Sequence, residues 1–430
     1  MFVGEPAAEP GRSATAVVGV RPEPQAGDPA LLPKERAPLR VLVITRVFPN
    51  AVEPLSSPFN RQQFAALGRL CHVEIMATIP WFPASGLLDR WSKSGGLRAV
   101  PRRDVIDGLE VLHPRVLYVP RVAAGLSGAL EVASLLPAVI ARRRRVDVIL
   151  GSWAYPDGVA AVALASLIGV PAVIKAHGSD LNVLSSMLGP RANLALGLSR
   201  AARVVTVSSA LGDKAVALGA DRARVAVVSN GVDTSLFRVR DQASARAALG
   251  WNAAGRMILY CGRIARDKGI FELLVAFAQI ADAEPDLSLV LLGEGPVRAE
   301  AEAIARPLGD RVRFLGARPL AEVPIWMAAS SLLTLPSYNE GSPNVVREAL
   351  ACGRPVVATS VGGIPELMTS PLFGEMVPAR DPSALAGALR LVAQRPFDAA
   401  RIAAVSGGSW DDSAAALLEV LHAAHRERTP

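Results

Sequence analysis

The feature that most constrains this chain is an alternation that runs, lapses and restarts. From Leu39 onward, apolar runs of strand length alternate with Ala-rich helical stretches. Positions 41–45, 73–77, 146–150, 171–175 and 203–208 read as strands, and 59–70, 128–144 and 158–168 as helices between them. The alternation lapses over 229–241, at Asn230-Gly231-Val232-Asp233 and a charged stretch. It then restarts, with strands at 257–261, 288–292, 312–315, 332–336, 355–359 and 375–377, and helices at 269–283, 297–305, 320–328, 343–351 and 382–393. Strand–helix alternation predicts βαβ units and parallel sheets. The expected fold is therefore α/β: two Rossmann-like parallel-sheet domains, 39–232 and 240–398, facing across a cleft. A helix at 408–428 would pack back on the first domain. Residues 1–38, rich in Pro, Ala, Gly and Glu without periodicity, read as a disordered tail.

Composition narrows the class. At 430 residues the chain exceeds what one core supports, and 51% hydrophobic with 20% charged residues excludes a mostly disordered protein. The longest uncharged runs, 158–174 and 323–339, are broken by Gly169-Val170-Pro171 and Pro336-Ser337, so each reads as helix and strand instead of a membrane span. Cys71, Cys261 and Cys352 stand far apart with no C-x-x-C, which argues against a disulfide framework or zinc site and fits a reducing cytosol. No charged n-region and apolar h-region open the chain, so export is not expected. The net charge of +7, almost all arginine, suits an anionic partner without choosing one.

Two Rossmann-like halves raise the question of nicotinamide or ATP chemistry. The loop after the first strand, Arg46-Val47-Phe48-Pro49-Asn50, has no G-x-G-x-x-G. Gly293-Glu294-Gly295 lacks the third glycine, and 262–268 lacks the glycine spacing and Ser/Thr of a phosphate-binding P-loop. Nucleic acid is disfavoured too, because the basic residues lie on no recognisable binding module.

Two segments carry the chemistry. In Ser337-Tyr338-Asn339-Glu340-Gly341-Ser342-Pro343-Asn344-Val345-Val346-Arg347-Glu348, a strand ends and a helix is expected to begin near Pro343, capped by Ser342. Glu340 then sits at the helix mouth and Glu348 inside it, facing one cleft. A carboxylate accepts from paired hydroxyls of a sugar or ribose, and the free N–H groups of the helix start favour an anion. In Gly262-Arg263-Ile264-Ala265-Arg266-Asp267-Lys268-Gly269, Arg263 can grip an oxygen pair and Lys268 adds a compact charge, a match for a diphosphate. Taken singly, each segment also reads as a surface helix or a solvated basic loop.

Together the motifs resemble retaining family-4 glycosyltransferases of the GT-B fold. The resemblance rests on Glu340 and Glu348, Gly262-Arg263 with Lys268-Gly269, Asn230-Gly231-Val232-Asp233, and Gly362-Gly363-Ile364-Pro365-Glu366. Tyr155-Pro156-Asp157-Gly158 and His177-Gly178-Ser179-Asp180 resemble the branch acting in cell-wall and exopolysaccharide assembly. It covers roughly 40–400 and implies a cytoplasmic hexosyltransferase moving a sugar from a nucleotide diphosphate sugar to a glycan or polyprenyl-linked acceptor. A UDP-sugar is the favoured donor and a GDP-sugar the second, with no cofactor and no metal. By position, Arg263 and Lys268 would hold the diphosphate, Glu348 the ribose and Glu340 the transferred sugar. Gly341, Ser342 and Asn344 would add donors, and His177 would lie near the sugar. One departure concerns the loop over 48–60, which lacks the glycine that relatives carry. Arg46, Asn60, Arg61 and Asp180 are the acceptor-side candidates.

Two alternatives stay open: a sugar-nucleotide epimerase of the same architecture, and a non-catalytic partner subunit. Arg142-Arg143-Arg144-Arg145, with Trp81-Phe82, Trp91, Lys93, Arg98, Arg102 and Arg103, would suit peripheral contact with the inner face of the plasma membrane, or a plain solvated face.

Overall fold

The computed structural model describes residues 38–427, apart from 55, 83–94, 119–123 and 252–254. The expected tail up to Ala37, and Trp91 and Lys93, lie outside the described residues.

The strands in chain order are β1 (Arg40–Thr45), β2 (His72–Ala77), β3 (Ile79–Trp81), β4 (Arg103–Ile106), β5 (Leu109–Leu112), β6 (Arg115–Leu117), β7 (Val148–Ser152), β8 (Ala172–Ala176), β9 (Arg203–Thr206) and β10 (Val225–Val227). In the second half they are β11 (Arg256–Cys261), β12 (Leu287–Leu292), β13 (Val312–Gly316), β14 (Leu332–Leu335), β15 (Val356–Thr359) and β16 (Gly374–Val377). Among the described residues the first half forms an eight-stranded sheet ordered β10-β9-β8-β7-β1-β2-β5-β4, and the second a six-stranded sheet ordered β13-β12-β11-β14-β15-β16. Every pairing in these sheets is parallel except β4 with β5. The sequence reading misses that hairpin, although its turn is Asp107-Gly108 with both φ positive, at 52° and 80°. The β3–β6 pair stands apart from both sheets.

The helices are α1 (Pro58–Gly68), α2 (Ser127–Ile140), α3 (Val159–Ile168), α4 (Ser179–Asn182), α5 (Leu188–Arg200), α6 (Ser209–Ala217), α7 (Gln242–Ala248), α8 (Ile270–Ala281), α9 (Arg298–Ala305), α10 (Val323–Ala329), α11 (Asn344–Ala351), α12 (Ile364–Leu367), α13 (Pro382–Gln394), α14 (Ala399–Ser406) and α15 (Trp410–Arg426). None among the described residues is long and apolar enough to cross a membrane.

The first sheet is buried on both faces, which is why its strands are near-continuous Val, Ile and Leu. Leu42, Ile44, Ile149 and Ile174 face one layer, with Leu135, Leu164 and Leu194 from α2, α3 and α5. Val41, Val43, Val148 and Val173 face the other, formed by Phe64 and Leu67 of α1 and by α15. The α15 stripe Trp410, Ala414, Leu417, Leu421, Ala424 keeps helical period, so the last helix completes the first domain's core. The chain thus crosses between the domains twice. The crossings touch, because Val232 N–H donates to Gly408 O at 3.1 Å and Val232 bridges Ser409.

Candidate functional site

The second sheet runs 3-2-1-4-5-6, so its order reverses between β11 and β14, where open α/β sheets hold their ligands. The loops leaving those two strands lie against each other. Gly269 takes φ +68°, and a Cβ there would fall 2.0 Å from Pro336 O, so only glycine lets the loops meet. Tyr338 N–H closes the contact on Asp267 O at 2.9 Å. This brings Lys268 Nζ to 2.6 Å from Glu340 Oε1. Arg263 pairs with Asp267 at 3.0 Å, both more than half exposed. Such a pair is worth at most about 1 kcal/mol, so a diphosphate can take Arg263 from it at little cost. The Gly293-Glu294-Gly295 turn backs the Arg263 loop, with Ile264 N–H donating to Glu294 O at 2.9 Å.

α11 begins at Asn344, with Pro343 as its N-cap and no side chain capping it, which corrects the expected Ser342 cap. Ser342 is instead buried beside Gly341. Glu348 lies one turn into α11, near Cys261 at the end of β11, whose thiol is raised first by burial and second by the Glu348 charge. Burial lifts the Glu348 carboxyl from 4.5 to about 7. The folded chain therefore holds this proton more tightly than the unfolded chain. Its stabilising contribution is complete below about pH 4.5 and lost as pH rises through about 7. Glu348→Gln should flatten that fall in a thermal-unfolding series across pH 4–8, and a wild-type slope in the variant would contradict the assignment.

The opposite wall is built on β7 and β8. His177, just past β8, offers its ring to Ser152 Oγ at 2.9 Å through Nε2. The hydrogen bonds fix its tautomer. Asn60 Nδ2 donates to Val47 O at 2.8 Å, leaving Oδ1 to accept from Ser152 Oγ at 3.3 Å. With its proton so committed, Ser152 must accept from Nε2–H, and His177 Nδ1 is left as a bare acceptor, buried and without a partner. Burial first, and the Lys175 charge second, hold the ring well below its ordinary pKa, so it is neutral. Phe59 and Trp153 flank it, ring centroids 5.0 and 6.1 Å away. Trp153 holds φ +128°, a strained conformation for a bulky residue, at the turn that aims its indole toward His177.

Three acceptor-side expectations need correction. Asp180 is fully buried and accepts from the N–H groups of Ala154, His177, Gly178 and Leu181, so it ties the loop together and has no face toward a ligand. Asn60 is fully buried beneath Ser152. Arg46 points away from the cleft into a buried pair of carboxyls, 3.3 Å from Asp157 and 3.9 Å from Glu131. Arg61 does line the cleft, held by Asp107 at 2.6 Å.

The walls meet at Gly341, where a Cβ would lie 2.2 Å from His177 O. Asn182 Nδ2 donates to Asn339 Oδ1 at 2.9 Å, and Asn230 Nδ2 to Asn344 Oδ1 at 2.8 Å. Glu366 accepts from Ser209 and Ala210 N–H at 2.9 and 3.1 Å, so the Gly-Gly-Ile-Pro-Glu motif docks the second domain onto the start of α6. Between the walls lies a cavity of about 1230 Å³, lined by Arg61, Trp153 and His177 on one side and Cys261, Arg263, Glu294 and Arg318 on the other. Trp153 and Arg318 escape the sequence reading. A tryptophan two residues before Tyr155-Pro156-Asp157-Gly158 is the only signal for the first, and no signal marks the second.

Each half matches a family description of its own. Residues 94–236 match "Glycosyltransferase Family 4" and 255–395 match "Glycosyl transferases group 1". The chain belongs to the family-4 glycosyltransferases of the GT-B fold. This glycosyltransferase is 29% identical over 343 residues to the putative teichuronic acid biosynthesis glycosyltransferase TuaC of Bacillus subtilis, spanning 78% of this chain and 84% of TuaC. It is 38% identical over 232 residues to a D-inositol 3-phosphate glycosyltransferase of Streptomyces avermitilis, a match spanning 49% of each chain. Among solved structures it is similar to Anabaena HepE in complex with UDP and glucose, with TM-score 0.66 and 20% identity over 89% of this chain and 99% of that one. Sucrose-phosphate synthase from Thermosynechococcus elongatus gives the same TM-score, 0.66, at 22% identity over 90% and 97% of the two chains. The parallel-sheet fold expected from the alternation is the fold observed.

Proposed function

We propose that this glycosyltransferase moves a hexosyl group, with retention at the anomeric carbon, from a nucleotide diphosphate sugar to a glycan or polyprenyl-linked acceptor in polysaccharide or glycoconjugate assembly. The Lys268–Glu340 pair at the strand-order reversal carries the reading, because it sets a cation for phosphate beside a carboxylate for sugar hydroxyls. The complex of HepE with UDP and glucose supports a UDP-sugar as donor, and the likeness to TuaC, named a putative teichuronic acid biosynthesis glycosyltransferase, supports a surface polymer as destination. GDP-sugars remain the second choice. In this reading Arg263 and Lys268 hold the diphosphate with the amides of Gly341, Ser342 and Asn344. Glu348 takes the ribose and Glu340 the transferred sugar.

The step needs no metal, since the charge it develops is met by these residues. As the bond from anomeric carbon to phosphate oxygen breaks, negative charge grows on the diphosphate, where fixed cations stabilise it most. The acceptor oxygen bonds to the same face of the carbon, and its proton passes to the departing phosphate oxygen. His177 Nδ1, bare and neutral, is free to accept from a hydroxyl of the sugar.

Incubation with UDP-, GDP- and ADP-sugars, following nucleotide diphosphate release and product anomeric configuration, tests the reading. Inverted product contradicts retention, free epimerised sugar points to an epimerase, and no release in the presence of acceptor points to a non-catalytic subunit. Glu348→Ala should weaken nucleotide binding about tenfold, while Arg263→Ala mainly lowers kcat; unchanged constants in both would refute the site.

Contact with the inner face of the plasma membrane belongs to the same proposal. Leu126, Val183, Met187 and Leu188 are 61%, 55%, 43% and 89% exposed near the start of α5, where Asn193 Nδ2 binds Gly125 O at 2.6 Å. Arg143, Arg144 and Arg145 are exposed at the other end of α2, about 20 Å along the helix from Leu126, whereas Arg142 is engaged by Glu74 at 2.7 Å. Flotation with anionic vesicles should carry the protein upward, and Leu188→Asp with Met187→Asp should leave it at the bottom. Equal flotation of variant and wild type would move the contact elsewhere.

A further inference from the structure

A chain of buried polar groups runs beneath the first-domain wall, behind the cavity. Ser413 on α15 donates to the carbonyl of Ser229, in the first crossing between domains, at 2.6 Å. Gln63 on α1 donates through Nε2 to Ser413 Oγ at 2.9 Å, and its Oε1 accepts from Lys175 Nζ in β8. Gln63 and Lys175 are wholly buried and Ser413 nearly so. Three residues earlier on α1, Asn60 holds the Ser152 hydroxyl that orients the His177 ring, and Phe59 packs against that ring. Residues three apart share one helix face, so α1 turns a single polar stripe toward both groups. Lys175 also faces the Asp180 carboxylate and the His177 ring, and the Phe64 ring lies 6.0 Å from its Nζ.

Aliphatic side chains fill the rest of this layer, with Val173, Val205, Leu67 and Leu417 as neighbours. A buried amide and ammonium are costly there unless paired, and when fully paired they admit one arrangement. The next residue of the crossing completes the picture. Asn230 reaches across to Asn344 at the start of α11, so Ser229-Asn230 is tied to both walls at once, by its carbonyl to the first domain and by its side chain to the second.

We infer that Gln63, Lys175 and Ser413 are positioning residues that couple the interdomain crossing to the His177 imidazole through α1. The inference rests on the placement of His177 beside the transferred sugar. Movement of the domains about the crossing pulls on Ser413 and Gln63, α1 follows, and Asn60 carries the shift to the ring. Nucleotide binding at α11 and orientation of His177 thus become one event instead of two.

The test reads the ring directly. The chain has five histidines, so the His177 imidazole nitrogens can be assigned in a 15N-histidine NMR spectrum by comparison with His177→Asn. UDP added to the full-length wild type should shift the His177 signals. In Ser413→Ala and Gln63→Leu the free-state signals should move and the UDP response should shrink. Turnover should drop roughly fivefold in each, UDP affinity should change with it because the coupling is reciprocal, and the double variant should be no worse than either single one. Should Gln63→Leu fail to fold, Gln63→Glu keeps a partner for Lys175 while losing the donor to Ser413, and serves in its place. His177 signals that superimpose on wild type in folded variants, or losses that multiply in the double variant, would overturn the coupling. Absence of sugar transfer by the wild type would instead sink the catalytic reading, and the ring signals would still decide the coupling.

Discussion

Lys268→Met should cut kcat about 100- to 1,000-fold, the loss typical of removing one fixed charge from a site where negative charge develops. Methionine keeps much of the side chain's volume, but Glu340 is only 11% exposed and loses its cation. The melting temperature should therefore fall as well, and kcat is to be measured on the folded variant below its transition. Lys268→Arg retains the charge on a bulkier, planar group and should recover part of the rate. Turnover within about threefold of wild type in the methionine variant would place the departing diphosphate elsewhere.

Gly341→Val should be as damaging for a different reason. Even one added carbon at this position meets His177 O at 2.2 Å and the Gly178 backbone at 3.1 Å, and neither is a flexible side chain that can step aside. The walls must separate. A misplacement of about 1 Å between reacting groups costs on the order of 100-fold, so sugar transfer should fall by at least that much. Both cores are untouched, so nucleotide affinity in the second domain should change only a few-fold. Measuring kcat and UDP affinity on the same preparation separates the two. Equal losses in both would show that the substitution had disrupted the second domain and not merely the contact.

How far the sequence reaches can be judged from particular elements. The parallel strands were legible because strands buried on both faces must be apolar along their whole length, as in β1, β7, β11 and β12. The β4–β5 hairpin was not, since β4 has no buried position, only β5 alternates, and the strands are four residues each. Glu340, Lys268 and Arg263 could be brought together on paper because each follows directly from a strand end. Asn60 and Asp180 carry the right chemistry in the right neighbourhood, and only depth separates a ligand-facing amide from one that orients a histidine. Depth is set by packing between distant segments, which local spacing does not encode. The same holds for Gln63, an unremarkable polar residue in an amphipathic stretch until α15 is laid over it.

That overlay bears on how the molecule comes into being. Since Trp410, Leu417 and Leu421 finish a hydrophobic layer begun by Val41 and Val43, the amino-terminal half cannot close its interior while the carboxyl-terminal segment is still inside the ribosome. The second half, whose interior draws on residues between Val232 and Ile402, is able to fold earlier. Assembly order therefore departs from synthesis order, and the first half waits with one face of its sheet covered by α1 alone until α15 arrives.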